Sequence, residues 1–417
     1  MQQKGKLGRW QGAGLLATTL LGTSVFILPQ ITVEIAGKNA IWAWTILTIS
    51  MLPIALVFAK LCAEHPHAGG PANFVAQAFG QPFGCAIGMS FLLVVPIGAP
   101  AALIMTYQFV DSIFAFHSSI GLFIQYGFLA LIYALNRKGI SFSANIQLLL
   151  TTLICIVIVG LCMSYFLSSP ADLVAPRLNE TSAISIMPAA ALAFWSFLGI
   201  EAMAHLSTEF KKPKEDMTPA IIIGTLTVGI IYICCTFLLI HLNTTSSLAI
   251  IDVFNTLFGN YGEIVIGFLG IAGGLATINV YMASCCKLMQ SFAQQGVLPK
   301  LYDRENAHGV ASTALRHLAL LMFFVLTVSH GLSLDLETLV GLCNGVFIAI
   351  YATSMLSALE LLSRVYRGFI FVGITVCLVL AASLAWKMIY AALLICLLVP
   401  LMKYWRQSKL TLCHHKK

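Results

Sequence analysis

An all-α integral membrane protein with twelve transmembrane helices is the fold this sequence predicts, and three observations carry it. Of its 417 residues, 59% are hydrophobic and only 9% are Asp, Glu, Lys or Arg, where soluble domains average about 25% charged. Apolar stretches near the ~20 residues that cross a bilayer recur from end to end. The basic residues fall almost wholly on alternate connections. So little charge could not cover the surface of a soluble fold of this length, which excludes an ordinary soluble enzyme, a disordered chain and a nucleic-acid binder.

Span 1 covers 12–36, after the basic segment with Lys4, Lys6 and Arg9. It is too long for a cleavable signal, and Leu28-Pro29-Gln30 lacks the small-residue cleavage pattern. Spans 2 to 4 follow at 40–62, 84–112 and 119–136, and spans 5 to 8 at 144–168, 184–208, 219–242 and 261–291. The last four lie at 314–331, 336–359, 368–385 and 388–404. Spans 4 and 12 are the shortest. Spans 3 and 8 exceed the bilayer and must tilt or break. Alternating ten-residue strands are absent, so an outer-membrane barrel is excluded. With the N-terminus inside, 20 of the 23 Lys and Arg lie on inner segments, and only Lys38, Arg177 and Lys387 lie outside. That asymmetry puts both termini in the cytoplasm. The net charge of +7 is then an insertion signal, and no nucleic-acid partner is implied.

The twelve cysteines lie mostly within spans and show no CxxC spacing, so they read as small apolar residues. No His, Cys, Asp or Glu cluster has catalytic or metal spacing, and no GxxxxGK[ST] loop is present. The sequence therefore points away from an enzyme and an ATP-driven pump, and to no cofactor or metal. A receptor or channel is a remote alternative, since neither a large soluble domain nor a charged pore ring appears.

Four spans carry helix breakers at bilayer depth: Gly22 and Pro29 in span 1; Pro96, Gly98 and Pro100 in span 3; Gly199 in span 6; Gly270, Gly273 and Gly274 in span 8. Spans 3 and 8 read as kinks or close helix contacts. Spans 1 and 6 carry more. Span 1 joins Gly22 to the hydroxyls of Thr23 and Ser24, and span 6 places Trp195 and Glu201 within two turns. Unwound helices supply backbone groups that replace the water a polar ligand loses. The two are five spans apart, as expected if each begins a five-helix repeat. A carboxylate in a span costs roughly 2.5–3.5 kcal/mol on insertion scales. Glu201 therefore reads as a proton-coupling group, against the plainer reading of a carboxyl hydrogen-bonded between helices. His205 lies on the same face one turn on; it either extends a proton path or sits in the interface. Lys287 snorkels or pairs with Glu64 or Glu209.

Several stretches together resemble one family. Gly22-Thr23-Ser24-Val25-Phe26 with Pro29 is similar to the helix-1 motif of the amino acid–polyamine–organocation (APC) superfamily. Pro66-His67-Ala68-Gly69-Gly70 with Phe79-Gly80 resembles its loop after helix 2. Phe194 to Glu201, followed by Glu209-Phe210-Lys211-Lys212-Pro213, resembles its helix-6 signature, and Gln295-Gly296-Val297-Leu298-Pro299 the end of its helix 8. Within it, Pro96 to Leu103, Ser143 to Gln147 and Gly199 to Leu206 resemble bacterial exporters of L-methionine and branched-chain amino acids.

The resemblance implies the sodium–leucine symporter fold in a bacterial inner membrane. Residues 1–11 would form a cytoplasmic N-terminus, 12–168 and 184–359 two inverted five-helix repeats, 368–404 two peripheral helices and 405–417 a cytoplasmic tail. It also implies a mid-membrane site between helices 1 and 6. Beside Gly22, the N–H groups of Thr23, Ser24 and Val25 would hold the substrate carboxylate. Carbonyls near Leu20 and Leu21, with those of Phe194 and Trp195, would hold the ammonium. Phe26, Trp195, Ser196, Leu198 and Tyr281 would line the pocket. Two departures stand out: Ser24 occupies the usual second glycine, and Ile154 stands where some proton-coupled relatives have lysine. Apolar walls and no ready acidic pair fit neutral hydrophobic amino acids. The expectation is a secondary transporter exporting methionine, leucine, isoleucine and valine against protons. An importer or exchanger of the same fold is the alternative.

Overall fold

The computed structural model describes residues 7–22, 24–114, 116, 118–168, 182–242, 244, 246 and 248–414. They form sixteen α-helices. Span 1 is split into α1 (Arg9–Leu21) and α2 (Leu28–Ala36), and α3 (Ala40–Glu64) and α5 (Gln81–Phe114) are spans 2 and 3. Spans 4 and 5 are α6 (Ser118–Asn136) and α7 (Ile140–Leu167). Span 6 is split into α8 (Ile186–Ala193) and α9 (Ile200–His205). Then come α10 (Pro213–His241), α12 (Gly262–Gln294), α13 (Ser312–Gly331), α14 (Leu336–Leu361), α15 (Arg367–Leu384) and α16 (Met388–His414). Short helices α4 (Pro71–Phe79) and α11 (Ala249–Phe258) occupy connections between spans. Among the described residues, nine helical stretches are long and apolar enough to cross a membrane. Two of them, Leu28–Glu64 and Arg364–Trp405, join parts of two expected spans through a 3-10 turn, at Gly37–Asn39 and Ala385–Lys387. Exposed Phe166, Phe268 and Leu397 belong to an apolar outer surface suited to lipid.

The two breaks have visible local causes. Gly22 ends α1 against α12, where a Cβ would fall on the Thr277 side chain and the Gly273 carbonyl. Beyond it, the Ser24 and Val25 N–H groups fold back onto the Leu21 carbonyl, 3.0 and 2.8 Å away. Pro29 sits in the first turn of α2, where its missing donor is not needed. In span 6, α8 tightens into a 3-10 turn over Phe194–Phe197, and Leu198 is extended. Gly199 follows at φ +139, a conformation that L side chains rarely adopt.

Spans 3 and 8 are unbroken. α5 has 34 residues and α12 has 33, so each is roughly 50 Å long and exceeds a ~30 Å hydrocarbon core. Gly270 and Gly274 bring α12 against Phe109 and Thr106 of α5, the close helix contact expected of a small-residue face. α3 packs along α10, α5 along α12, and α1 between α10 and α7, which encloses both breaks.

One end of the bundle is tied across sequence. Leu7 N–H donates to the Glu209 carbonyl at 2.9 Å and Lys211 N–H to the Leu7 carbonyl at 2.8 Å. Beside them, Arg9 pairs with Asp216 at 3.5 Å and Lys287 with Glu209 at 2.7 Å. Glu209 is thus the partner that Lys287 takes, of the two expected.

Candidate functional site

A cavity lies where the two breaks face each other, lined by residues of both. From span 1 it is lined by Thr19, Leu20 and Ser24, and from span 6 by Trp195 and Leu198. α12 contributes Thr277, Ile278 and Tyr281, and α5 contributes Val95, Gly98, Ala99 and Ala102. Met322 of α13 and Phe347 of α14 complete the wall. Among the described residues, no Asp, Glu, Lys or Arg lines it. Hydroxyls stand on the span-1 and α12 sides and apolar groups on α5 and α14, a surface suited to an uncharged apolar side chain.

Of the residues expected at the substrate site, Ser24, Trp195, Leu198 and Tyr281 line the cavity. Gly22, Val25, Phe26, Phe194 and Ser196 do not. Gly22 and Val25 are buried beside it. Phe26 packs edge-on against Phe109, with centroids 6.1 Å apart, and Phe194 against Tyr351 at 5.6 Å. Both are second-layer packing because their rings point into neighbouring helices. Thr23 lies outside the described residues. Sequence reasoning missed the α5 wall, Thr277, Ile278, Met322 and Phe347. For α5 a signal existed: Gly98, Ala99 and Ala102 form a small-residue face, and a Cβ at Gly98 would sit 3.5 Å from the Trp195 ring.

The backbone groups at the span-1 break are already engaged, which differs from the open donors and carbonyls expected there. Ser24 and Val25 N–H hold the Leu21 carbonyl. Tyr232 of α10 donates to the Leu20 carbonyl at 3.0 Å. Ser24 Oγ lies 2.6 Å from the Tyr232 hydroxyl, and Ser196 Oγ donates to Ser24 at 3.4 Å. Ser24 Oγ also lies 3.4 Å from the Leu20 carbonyl, so Ser196, Ser24, Tyr232 and the Leu20 carbonyl form one hydrogen-bonded cluster. The serine in the glycine position therefore ties both breaks to α10. Thr277 anchors the same region from α12, its hydroxyl 3.2 and 3.1 Å from the Thr18 and Thr19 carbonyls.

Glu201 is wholly buried and sits behind the cavity rather than in its wall. Its Oε1 accepts the Tyr281 hydroxyl at 2.8 Å, and the Tyr281 ring lines the cavity. Its Oε2 accepts Gly199 N–H at 3.0 Å and contacts the Tyr351 hydroxyl. One phenol thus separates the carboxyl group from the cavity. Leaving such a group unpartnered in the interior would cost several kcal/mol; here both oxygens are bonded. His205 holds the Ala68 carbonyl through Nδ1 at 3.0 Å and packs 4.5 Å from the Phe91 ring. It sits in the interface with the loop before α4, and Nε2 has no partner among the described residues. Among the described residues, no three His, Cys, Asp or Glu gather as a metal site requires.

The sequence profile described as amino acid permease matches residues 7–410. The chain is 35% identical over 398 residues to the L-methionine/branched-chain amino acid exporter YjeH of Escherichia coli (strain K12), covering 94% of each. It is 27% identical over 402 residues to the uncharacterized amino acid permease YecA of Bacillus subtilis (strain 168), covering 92% of each. It is 22% identical over 346 residues to a cadaverine/lysine antiporter of E. coli K12, covering 79% of this chain and 78% of that one.

Proposed function

The chain belongs to the amino acid permease family, and on that premise we propose that it exports neutral hydrophobic amino acids across the bacterial inner membrane by proton antiport. Methionine, leucine, isoleucine and valine are the substrates. The carrying observation is the cavity between the two broken spans. Its walls present hydroxyls and apolar groups but no formal charge, with a single carboxyl one hydroxyl behind. The E. coli relative named for methionine and branched-chain export, similar over nearly the full length, supports the same substrates and direction. A cationic amine fits poorly, because the walls offer no carboxylate to neutralise it.

The transport scaffold is the twelve-span bundle with both termini cytoplasmic, counting α1/α2 and α8/α9 as one broken helix each. Residues 12–168 and 184–359 are its two inverted repeats. The substrate's side chain rests against Trp195, Leu198 and the small-residue face of α5. Its carboxylate and ammonium lie at the breaks, where the Ser24 and Val25 N–H groups must be shared with, or released from, Leu21. Alternating access opens this site to one side at a time, and Glu201 carries the exchanged proton. His205, next along α9, is the second candidate on the proton route. Apolar walls discriminate by only about 1–3 kcal/mol per methylene, so several neutral substrates compete.

The test uses everted membrane vesicles with an imposed acid-inside pH gradient. Labelled methionine or leucine accumulates inside when the chain is present. No gradient-dependent accumulation of any neutral amino acid would contradict export, and accumulation only in right-side-out vesicles would reverse the direction.

A further inference from the structure

The Tyr351 hydroxyl has one proton and two acceptors. Its oxygen lies 3.1 Å from the Phe197 carbonyl and in hydrogen-bond contact with Glu201 Oε2. A carbonyl only accepts, and a phenol has a single O–H to give. Two arrangements are therefore possible. With Glu201 ionised, Tyr351 donates to the carboxylate and the Phe197 carbonyl loses that donor. With a proton on Oε2, the carboxyl O–H donates to the Tyr351 oxygen, and the Tyr351 O–H turns to the Phe197 carbonyl. Only the second satisfies both contacts at once. One proton arrives at Oε2, none leaves, and one hydrogen bond reverses direction.

Phe197 ends the 3-10 turn of the span-6 break, and its side chain is wholly buried, as is Tyr351. Gly199 N–H, two residues on, holds the same carboxyl oxygen. Glu201 and Tyr351 together grip the backbone on both sides of Leu198, a residue in the cavity wall.

We infer that Tyr351 is a positioning residue that converts protonation of Glu201 into a grip on the Phe197 carbonyl, and so couples proton loading to the shape of the span-6 break. This rests on the proton-coupled reading of Glu201. Two titratable groups bond to Glu201: Tyr281 from α12 and Tyr351 from α14. Of the elements packed on α9, α3 carries Lys60, Cys62 and Glu64, and α12 also carries Glu263, Cys285, Cys286 and Lys287, the last paired with Glu209. Cys343 and Cys377 stand near the two tyrosines. His67 precedes α4, and His205 lies further along α9. None of these others is hydrogen-bonded to Glu201 among the described residues.

The test compares wild type and Tyr351→Phe as full chains in proteoliposomes, measuring labelled methionine transport across a pH series. In wild type the ratio of fastest to slowest rate falls in the range of allosteric couplings, about 5–150-fold. In Tyr351→Phe it collapses to about unity, while methionine affinity changes less than about threefold. A variant that keeps the wild-type profile at any overall rate overturns the inference and leaves proton coupling standing. A wild type without pH dependence overturns both. A second measurement needs no Tyr351 variant to fold. With carbon-13 at the phenylalanine carbonyls, an infrared band shifts with pH in wild type and stays fixed in Glu201→Gln. No shift, or the same shift in both, also overturns it.

Discussion

Helices α5 and α12 contain more helix breakers than the two spans that break, yet both run unbroken. Pro96, Gly98 and Pro100 lie inside α5, and Gly270, Gly273 and Gly274 inside α12. The difference lies in what adopts the backbone groups an interruption frees. In α5 the hydroxyls of Ser90 and Thr106 return to their own helix, to the Ala86 and Ala102 carbonyls at 2.9 and 2.7 Å. At the breaks two partners come from other helices and one from the same span. Tyr232 of α10 takes the Leu20 carbonyl, Tyr351 of α14 the Phe197 carbonyl, and Glu201 the Gly199 N–H. Glycine and proline permit an interruption. Polar side chains from neighbouring helices stabilise it, because lipid-depth backbone without a partner is costly.

The largest expected effect that would break this contrast is Gly199→Ala. Its φ of +139 and a Cβ 2.8 Å from Thr19 Cγ2 add strain of about 1–3 kcal/mol to a collision at the cavity. Methionine transport by folded protein falls at least ~100-fold, and near-normal transport would show that the break tolerates other backbone geometry. Next, Trp195→Ala removes the indole from the cavity wall and weakens methionine binding about 10–100-fold, roughly 1.4–2.8 kcal/mol. Unchanged affinity in an isotope-binding assay would place the substrate elsewhere. Tyr232→Phe leaves the Leu20 carbonyl only the longer 3.4 Å contact from the Ser24 hydroxyl and costs about 1–2 kcal/mol, read as a lowered Tm. An unchanged Tm would mean that the borrowed partners do not hold the break. The smallest effect is Gly98→Ala in unbroken α5. The nearest atoms to the added methyl, Cys343 Sγ and the Trp195 ring, stand at 3.4 and 3.5 Å, so stability stays within about 0.5 kcal/mol. A large loss would give α5 glycines the role assigned to those at the breaks.

The membrane character and the places where spans 1 and 6 unwind are legible in the sequence. Charge is scarce, span lengths are set by the bilayer, and Gly22-Thr23-Ser24 and Gly199-Ile200-Glu201 combine backbone freedom with polar groups in apolar surroundings. Glu201 is conspicuous for the same reason. Its partners are not. Tyr232 and Tyr351 sit in long apolar spans and read as core aromatics. Their hydroxyls matter only because helix packing brings α10 and α14 beside breaks some 150–200 residues away in sequence. The one usable hint is that a buried tyrosine hydroxyl needs a partner. The α5 wall is not legible because Pro96, Gly98 and Pro100 read equally as a kink or a close helix contact, whereas the small side chains around them make room for Trp195.

Glu201 joins this comparison to transport, since it holds the backbone of one break and reaches the cavity through Tyr281. The direct measurement is proton flux, followed with a pH-sensitive dye trapped in proteoliposomes during methionine movement down its own gradient. Wild type moves protons opposite to methionine. Glu201→Gln still binds methionine but drives no proton flux. Proton movement coupled to methionine in Glu201→Gln, or none in wild type, would contradict the account.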